Sequence, residues 1–141
     1  MKANFGNLAK PLKIGTLLAR NRIWGAPLWE GECSMDGEVT QEQIDHYATR
    51  AKGGTGLLNL GSLAVDSRYI WRQPQNGIYL DKFGPGLHRL VEAVHMWETP
   101  ILAQLHHAGM FGINPVAPSE VLYFIKISWF DPLVSCSQTA T

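Results

Sequence analysis

This chain of 141 residues is poor in cysteine and has no excess of charge of either sign. Its two cysteines, Cys33 and Cys136, lie far apart and outside any CxxC pair. That spacing excludes a disulfide framework and a zinc motif, and it predicts free thiols. Lys plus Arg and Asp plus Glu each total 12, so the formal net charge is +0. Without a basic excess, neither nucleic acid nor an anionic membrane surface is an expected partner.

Long apolar runs are also missing. The first ten residues lack the apolar stretch of a signal peptide, and Lys126 interrupts the most apolar segment further along the chain. A membrane-spanning helix needs about 20 predominantly apolar residues. The sequence therefore predicts no membrane association and, by default, a cytoplasmic location.

Strand and helix patterns alternate along the first hundred residues. Residues 11–21 alternate weakly around a Gly-Thr pair, which favours a small hairpin. The pattern then predicts core strands at 22–27, 56–60 and 101–105, with helices at 41–52 and 86–97 between them. Strands that alternate with helices are typical of a parallel sheet. The pattern by itself leaves open whether this sheet is doubly wound or part of a barrel.

The first of these helices has the clearest signals. Thr40 and Gln43 form a predicted capping box, in which the Thr40 hydroxyl accepts the N–H of Gln43 and the Gln43 side chain reaches back. Lys52-Gly53-Gly54 supplies a cation and a left-handed glycine at the other end. The predicted buried stripe consists of Ile44, Tyr47, Ala48 and Ala51.

The third predicted strand ends in polar residues, Gln104-Leu-His-His-Ala-Gly109. Two further segments lie upstream, Asn21–Pro27 and Arg50–Leu57. The three segments occur in the order found in the Old Yellow Enzyme family of FMN-dependent NAD(P)H oxidoreductases, which the chain therefore resembles. The run at 36–40, Asp-Gly-Glu-Val-Thr, resembles the 2,4-dienoyl-CoA reductase branch. The resemblance implies an α/β fold that is a partial (β/α)8 TIM barrel of about three βα units. It also implies hydride transfer from NAD(P)H through FMN to a small activated alkene such as an α,β-unsaturated carbonyl.

The resemblance also suggests which residues contact the flavin. These are Ala26, Pro27, Leu28, Trp29, Ser62 and Gln104. A primary amide such as that of Gln104 can pair with the flavin edge, which presents both donors and acceptors. The alternative for Gln104 is a core amide whose hydrogen bonds are made within the protein. Trp29 stands where the family has a small Thr or Cys. No residue of this chain is assigned a catalytic role, because the resemblance places the catalytic groups in later parts of the barrel.

Histidines suggest a metal or acid–base site, but their spacing argues against one. His106 and His107 are adjacent on a strand and so point to opposite sides. His88, Glu92 and His95 share a helical face, which we interpret as a solvated outer face. No metal site is therefore predicted.

The length of the chain conflicts with a complete barrel, which needs about 250 residues. We interpret 1–121 as the N-terminal part of an FMN-binding barrel and 122–141 as an unrelated or aberrant tail. The alternative is a divergent strand and helix that complete a small domain. The expected function is that of an N-terminal fragment, inactive by itself and able to self-associate through its exposed barrel edge. The alternative function is a non-catalytic truncated remnant or a small interaction domain.

Overall fold

The structure is a computed structural model that describes residues 5–114, 116–117, 121–123, 134–136 and 138–139. Its elements begin with β1 (Leu12–Ile14), β2 (Leu17–Ala19), β3 (Trp24–Gly25), α1 (Gln41–Lys52), β4 (Leu57–Ala64), α2 (Gly84–His95) and β5 (Ile101–His106). Four short strands follow, β6 (Val116–Ala117), β7 (Val121–Tyr123), β8 (Val134–Cys136) and β9 (Gln138–Thr139). Strand β6 pairs with β9, and β7 pairs with β8. Much of the predicted tail at 122–141 lies outside the described residues.

The predicted hairpin is confirmed. Strands β1 and β2 are antiparallel, with Leu12 opposite Ala19 and Ile14 opposite Leu17. Gly15 has a φ of 60°, a left-handed conformation that glycine adopts without steric cost. The hairpin leads directly into the main sheet.

The main sheet has the order β3-β4-β5, and both pairs of neighbouring strands are parallel. This confirms the predicted βαβ pattern. Strand β3 is shorter than the predicted 22–27, because Asn21 Oδ1 accepts the N–H of Ile23 at 3.0 Å and Pro27 has no N–H to donate. Strand β4 extends beyond the predicted 56–60 to Ala64, with an irregularity in its pairing between Leu60 and Leu63.

One face of the sheet is covered by the two helices. The core consists of Val39, Ile44, Tyr47, Ala51, Leu58, Leu60, Leu63, Leu90 and Val94. Ile44, Tyr47 and Ala51 belong to the stripe predicted on α1, whereas Ala48 is only partly buried. The edge strand β5 is exposed from Leu102 to Leu105. Neither α1 nor α2 is long and apolar enough to cross a membrane, and the same is true of every helix in the described ranges.

The start of α1 confirms half of the predicted capping box. Thr40 Oγ1 accepts the N–H of Gln43 at 3.2 Å. The second half of the prediction is wrong, because the Gln43 side chain turns into the protein and exchanges two hydrogen bonds with Asn76, at 2.7 and 3.1 Å. Both amides are buried, and buried polar groups require partners. At the other end, Gly54 rather than Gly53 is left-handed.

The second helix begins two residues before the predicted Gly86. Pro85 occupies its first turn, where a missing N–H costs no helical hydrogen bond. A short 3-10 turn, Asp81–Phe83, leads into it. The helix ends at His95, and the connection to β5 is short.

The Gln43–Asn76 amide pair allows a first prediction. Replacing Asn76 with Ala leaves the buried Gln43 amide without its partner, and we expect the free energy of unfolding to fall by about 1–3 kcal/mol. Denaturant titration at one fixed protein concentration measures this. Gln41→Ala is the control, because Gln41 is exposed and its one side-chain hydrogen bond in the described part of the chain goes to Asp45 Oδ1, at 2.9 Å. Equal effects of the two substitutions would contradict the prediction.

Candidate functional site

The carboxyl ends of the three parallel strands meet along one side of the sheet, which we call the carboxyl edge. It consists of residues 26–31 after β3, 65–77 after β4 and 107–109 after β5. Parallel α/β folds bind ligands at this edge, because the loops there converge from several strands. All of the sequence-predicted site residues lie on or next to it.

The segment after β3 presents an apolar surface. Leu28 is 58% exposed, Ala26 is also exposed, and Pro27 is half-buried. This segment lies directly against β4 at Gly61. A Cβ atom at Gly61 would be 2.8 Å from both Leu28 N and Pro27 Cβ. The absence of a side chain at position 61 therefore lets the 26–28 segment lie flat on the sheet.

Gln104 lies opposite the irregular part of β4. Ala103 pairs with Leu60 and Leu105 with Leu63, so Gln104 faces the two intervening residues of β4. Its side chain is exposed, and among the described residues no hydrogen bond reaches it. Because β5 is the open edge strand of the sheet, this exposure does not distinguish a core amide from a flavin contact, and the flavin contact of Gln104 stays a prediction. The Gln104 amide is available to a ligand.

Ser62, in contrast, is buried, and its hydroxyl and its carbonyl both accept hydrogen bonds. Gln75 Nε2 donates to Ser62 Oγ at 2.8 Å and to the Ser62 carbonyl at 3.2 Å. Gln75 also accepts the N–H of Trp71 at 3.0 Å and contacts His106 Nδ1 at 3.3 Å. Gln75 thus ties the loop after β4 to the end of β5. Sequence analysis missed it because it lies in an aperiodic loop.

Trp29 is anchored in the same loop. Its Nε1–H donates to the Pro74 carbonyl at 2.7 Å, so the only donor of the indole is used within the protein. Trp71 meets its ring edge-on, with centroids 6.1 Å apart. The Arg72 guanidinium lies 5.1 Å from the Trp29 ring and 5.2 Å from the Trp71 ring. Trp29 can therefore contact a ligand only through its ring.

The two adjacent histidines contact different aromatic rings. His106 meets Trp71 at 6.4 Å between ring centroids, and burial lowers its pKa. His107 packs on Tyr69 at 4.5 Å, and its Nδ1 accepts the N–H of Gly109 at 3.0 Å. Within the part of the chain that the structure describes, no group of three His, Cys, Asp or Glu could hold a metal ion.

A carboxylate that sequence analysis did not identify is buried beside the carboxyl edge. The Glu30 side chain is only 9% exposed, and its Oε1 accepts a hydrogen bond from Tyr47 Oη at 2.9 Å. Arg50 Nη1 lies 3.9 Å from Glu30 Oε1, and Glu30 Oε2 has no hydrogen-bond partner within the described residues. Burial raises the pKa of Glu30, and burial likewise raises the pKa of Tyr47. A cavity of about 90 Å³ adjoins this group, lined by Gly25, Ala26, Leu28, Glu30, Tyr47, Arg50, Leu58 and Asn59.

The raised pKa of Glu30 gives a second prediction. A folded-state pKa above the ordinary 4.5 means that the folded protein holds this proton more tightly. Stability is then lost as pH rises through the folded pKa, and Glu30→Gln removes that loss. We expect the variant to be more stable than the parent at pH 8 and to differ less from it at pH 4.5.

Unfolding midpoints at the two pH values test this prediction. Glu38→Gln is the control, because the Glu38 side chain is exposed and its one ion pair within the described residues is with Lys82 Nζ, at 3.9 Å. A Glu30→Gln variant that is less stable at pH 8 would show that the charged form of Glu30 is favoured in the fold.

Comparison with known proteins places this geometry in a family. Residues 7–119 match the NADH:flavin oxidoreductase / NADH oxidase family. An NADH oxidase of Thermoanaerobacter brockii is 38% identical over 130 residues, which cover 84% of this chain and 19% of that protein. The structure of 2-naphthoyl-CoA reductase with 2-naphthoyl-CoA has a TM-score of 0.86 at 25% identity, over 95% of this chain and 22% of the other. An old yellow enzyme homologue from Zymomonas mobilis has a TM-score of 0.82 at 27% identity, over 96% of this chain and 40% of the other.

The resemblance and the predicted partial barrel are therefore confirmed. The chain spans about a fifth of the length of the NADH oxidase and two fifths of the old yellow enzyme homologue. Its sheet has three parallel strands, which do not close into a barrel. The family match covers most of the chain, including all three strands of this sheet and both helices. The chain belongs to the NADH:flavin oxidoreductase / NADH oxidase family, which uses FMN and NAD(P)H and includes the old yellow enzymes.

Proposed function

We propose that this chain supplies the first three βα units of an FMN-dependent NAD(P)H oxidoreductase that reduces activated alkenes. The carboxyl edge is the part of the chain that would border the flavin. The observation that carries the proposal is Gln104, an amide near the carboxyl end of the exposed edge strand β5, whose side chain has no hydrogen-bond partner among the described residues. An exposed amide on β5 and an exposed apolar segment after β3, which lie on either side of β4, match a ligand with a polar edge and an apolar ring system.

The residues present fit a flavin in two respects. Leu28 and Ala26 offer exposed apolar surface, and Gln104 offers one donor group and one acceptor. Ser62 would contribute through its backbone, since its hydroxyl is bonded to Gln75. Trp29 would contribute its ring, since its N–H is bonded to Pro74. Bound FMN would supply the redox chemistry, with hydride from NAD(P)H and an activated alkene as acceptor.

We also propose that the isolated chain is inactive. Its three strands would form one side of a flavin site, and a cofactor needs contacts from several sides for tight binding.

The exposed β5 edge favours a second candidate function, that of a non-catalytic chain that pairs with another polypeptide. Titration of the isolated chain with FMN tests the proposed inactivity. Saturable binding at micromolar FMN would contradict it, because the inactivity is attributed to a failure to hold the cofactor.

The flavin role itself is tested in a complete protein. In a chimera, residues 7–119 of this chain replace the matching segment of the Thermoanaerobacter brockii NADH oxidase. Gln104→Leu should weaken FMN binding about ten-fold, because a polar edge of the flavin loses its partner. Gln41→Leu, on the exposed face of α1, is the control. Unchanged FMN affinity and unchanged flavin potential in Gln104→Leu would show that Gln104 has no flavin role.

A further inference from the structure

The cavity of about 90 Å³ beside Glu30 has both polar and apolar lining. Glu30 and Arg50 are its charged residues, and its apolar residues include Ala26, Leu28 and Leu58. A single water molecule needs roughly 10–15 Å³, so the cavity has room for a small organic molecule. Its lining comes from β3, β4, α1 and the segment after β3, so it does not depend on the open edge strand β5.

Two polar groups at this cavity have hydrogen-bonding capacity that the described residues leave unused. Glu30 Oε1 accepts the hydroxyl of Tyr47 at 2.9 Å, but Oε2 is buried and has no partner among these residues. Arg50 Nη1 lies 3.9 Å from Glu30 Oε1, which is beyond hydrogen-bond distance. Most buried polar groups in proteins are hydrogen-bonded. An orphan carboxyl oxygen beside such a guanidinium therefore indicates a bound molecule.

The protonation state of Glu30 determines which ligand fits. Burial is the largest influence on the Glu30 carboxyl and raises its pKa, which favours the neutral acid. Since Oε1 already accepts from Tyr47, the acid proton belongs on Oε2, where it is a donor without an acceptor. Arg50 adds N–H donors and a positive charge. Both groups therefore need acceptors, and an anion supplies them.

A carboxylate satisfies both groups at once. One of its oxygens accepts the O–H of Glu30 and the other accepts an N–H of Arg50, and such charge-assisted bonds are strong. The apolar lining suits an alkyl group better than the hydration shell of an inorganic ion. We propose that this cavity binds a short-chain aliphatic monocarboxylate, with its carboxylate on Glu30 and Arg50 and its alkyl group on the apolar lining.

Acetate is the probe for this site, and acetamide is its neutral counterpart of the same shape. The full chain, labelled with ¹⁵N, is titrated with each at pH 5.5 while the backbone N–H signals of Gly25 and Leu58 are followed by NMR. We expect acetate to shift both signals to saturation and acetamide to bind at least ten-fold more weakly. Arg50→Gln should weaken acetate binding about ten-fold or more. Arg89→Gln is the matched control, since it removes the same charge from an exposed position on α2, and it should leave acetate binding unchanged.

The pH dependence of acetate binding tests the role of the acid form of Glu30. The other ionisable groups that act on this carboxyl are Tyr47, His46 and Arg50 on α1 and Cys33 in the loop before it. Affinity of the parent for acetate should fall as pH rises from 5.5 to 8, because an ionised Glu30 loses its donor and repels the ligand. Glu30→Gln keeps a donor and carries no charge, so its affinity should stay constant over the same range.

Several outcomes would overturn the proposal. Equal binding of acetate and acetamide, or equal losses in the Arg50 and Arg89 variants, would remove the role of the guanidinium. A pH dependence that persists in Glu30→Gln would belong to another group, such as His46. No saturable shift with tens of millimolar acetate would mean that the cavity holds only water, and displacement by chloride at similar concentrations would reveal a general anion site. Because the titrations contain no FMN, each outcome is independent of flavin binding.

Discussion

Leu63→Ala is expected to lower the free energy of unfolding by about 2–5 kcal/mol, the range for truncating a buried leucine. Leu63 is 0% exposed and lies in β4, the central strand of the sheet. Both helices and the sheet contribute to the core around it, so the cavity left by the substitution cannot readily collapse. The lowering of the free energy of unfolding is the sum of two contributions, the apolar contacts that are removed and the cavity that remains.

Denaturant unfolding of the parent and the variant measures this effect. Protein concentration is held fixed, because association would otherwise change the apparent stability. Leu18→Ala is the control, since Leu18 is 68% exposed in the hairpin, and it should change stability by no more than about 0.5 kcal/mol. A Leu63→Ala variant that matched the control would mean that the sheet and helices do not form the described core in solution.

The second large effect concerns association. Strand β5 is an edge strand, and Leu105 on it is 63% exposed. An exposed apolar edge offers unpaired backbone groups to another chain, so we expect the purified protein to self-associate as its concentration rises. Leu105→Lys should shift the population strongly toward the monomer, because a charge at the edge opposes strand pairing.

Sedimentation velocity across a range of concentrations separates these states. Leu18→Lys places the same charge on an equally exposed leucine outside the main sheet and should leave the association unchanged. If both lysine variants dissociate the assembly to the same extent, net charge is the cause and the β5 edge is not the interface. A parent chain that stays monomeric at all concentrations would contradict the expectation directly.

Local sequence patterns determined the regular elements of this protein. The spacing of Ile44, Tyr47 and Ala51 allows one continuous buried stripe only on a helix, and these residues pack in the core. Thr40 begins that helix by accepting the N–H of Gln43, as its position predicts. The alternation of strands and helices likewise predicted the parallel sheet. Such features depend on neighbours within a few residues, which the sequence displays directly.

The tertiary structure alone decided which polar side chains meet. Gln43 pairs with Asn76, which is 33 residues away, instead of capping its own helix. Trp29 donates a hydrogen bond to the Pro74 carbonyl, 45 residues away, and its ring lies near the Arg72 guanidinium of the same loop. The path of the loop at 65–77 determines these pairings, and a loop has no hydrophobic period from which its path could be inferred. Burial of Glu30 depends in the same way on how 26–31 fold against α1, because hydrogen bonding to Tyr47 requires the assembled core.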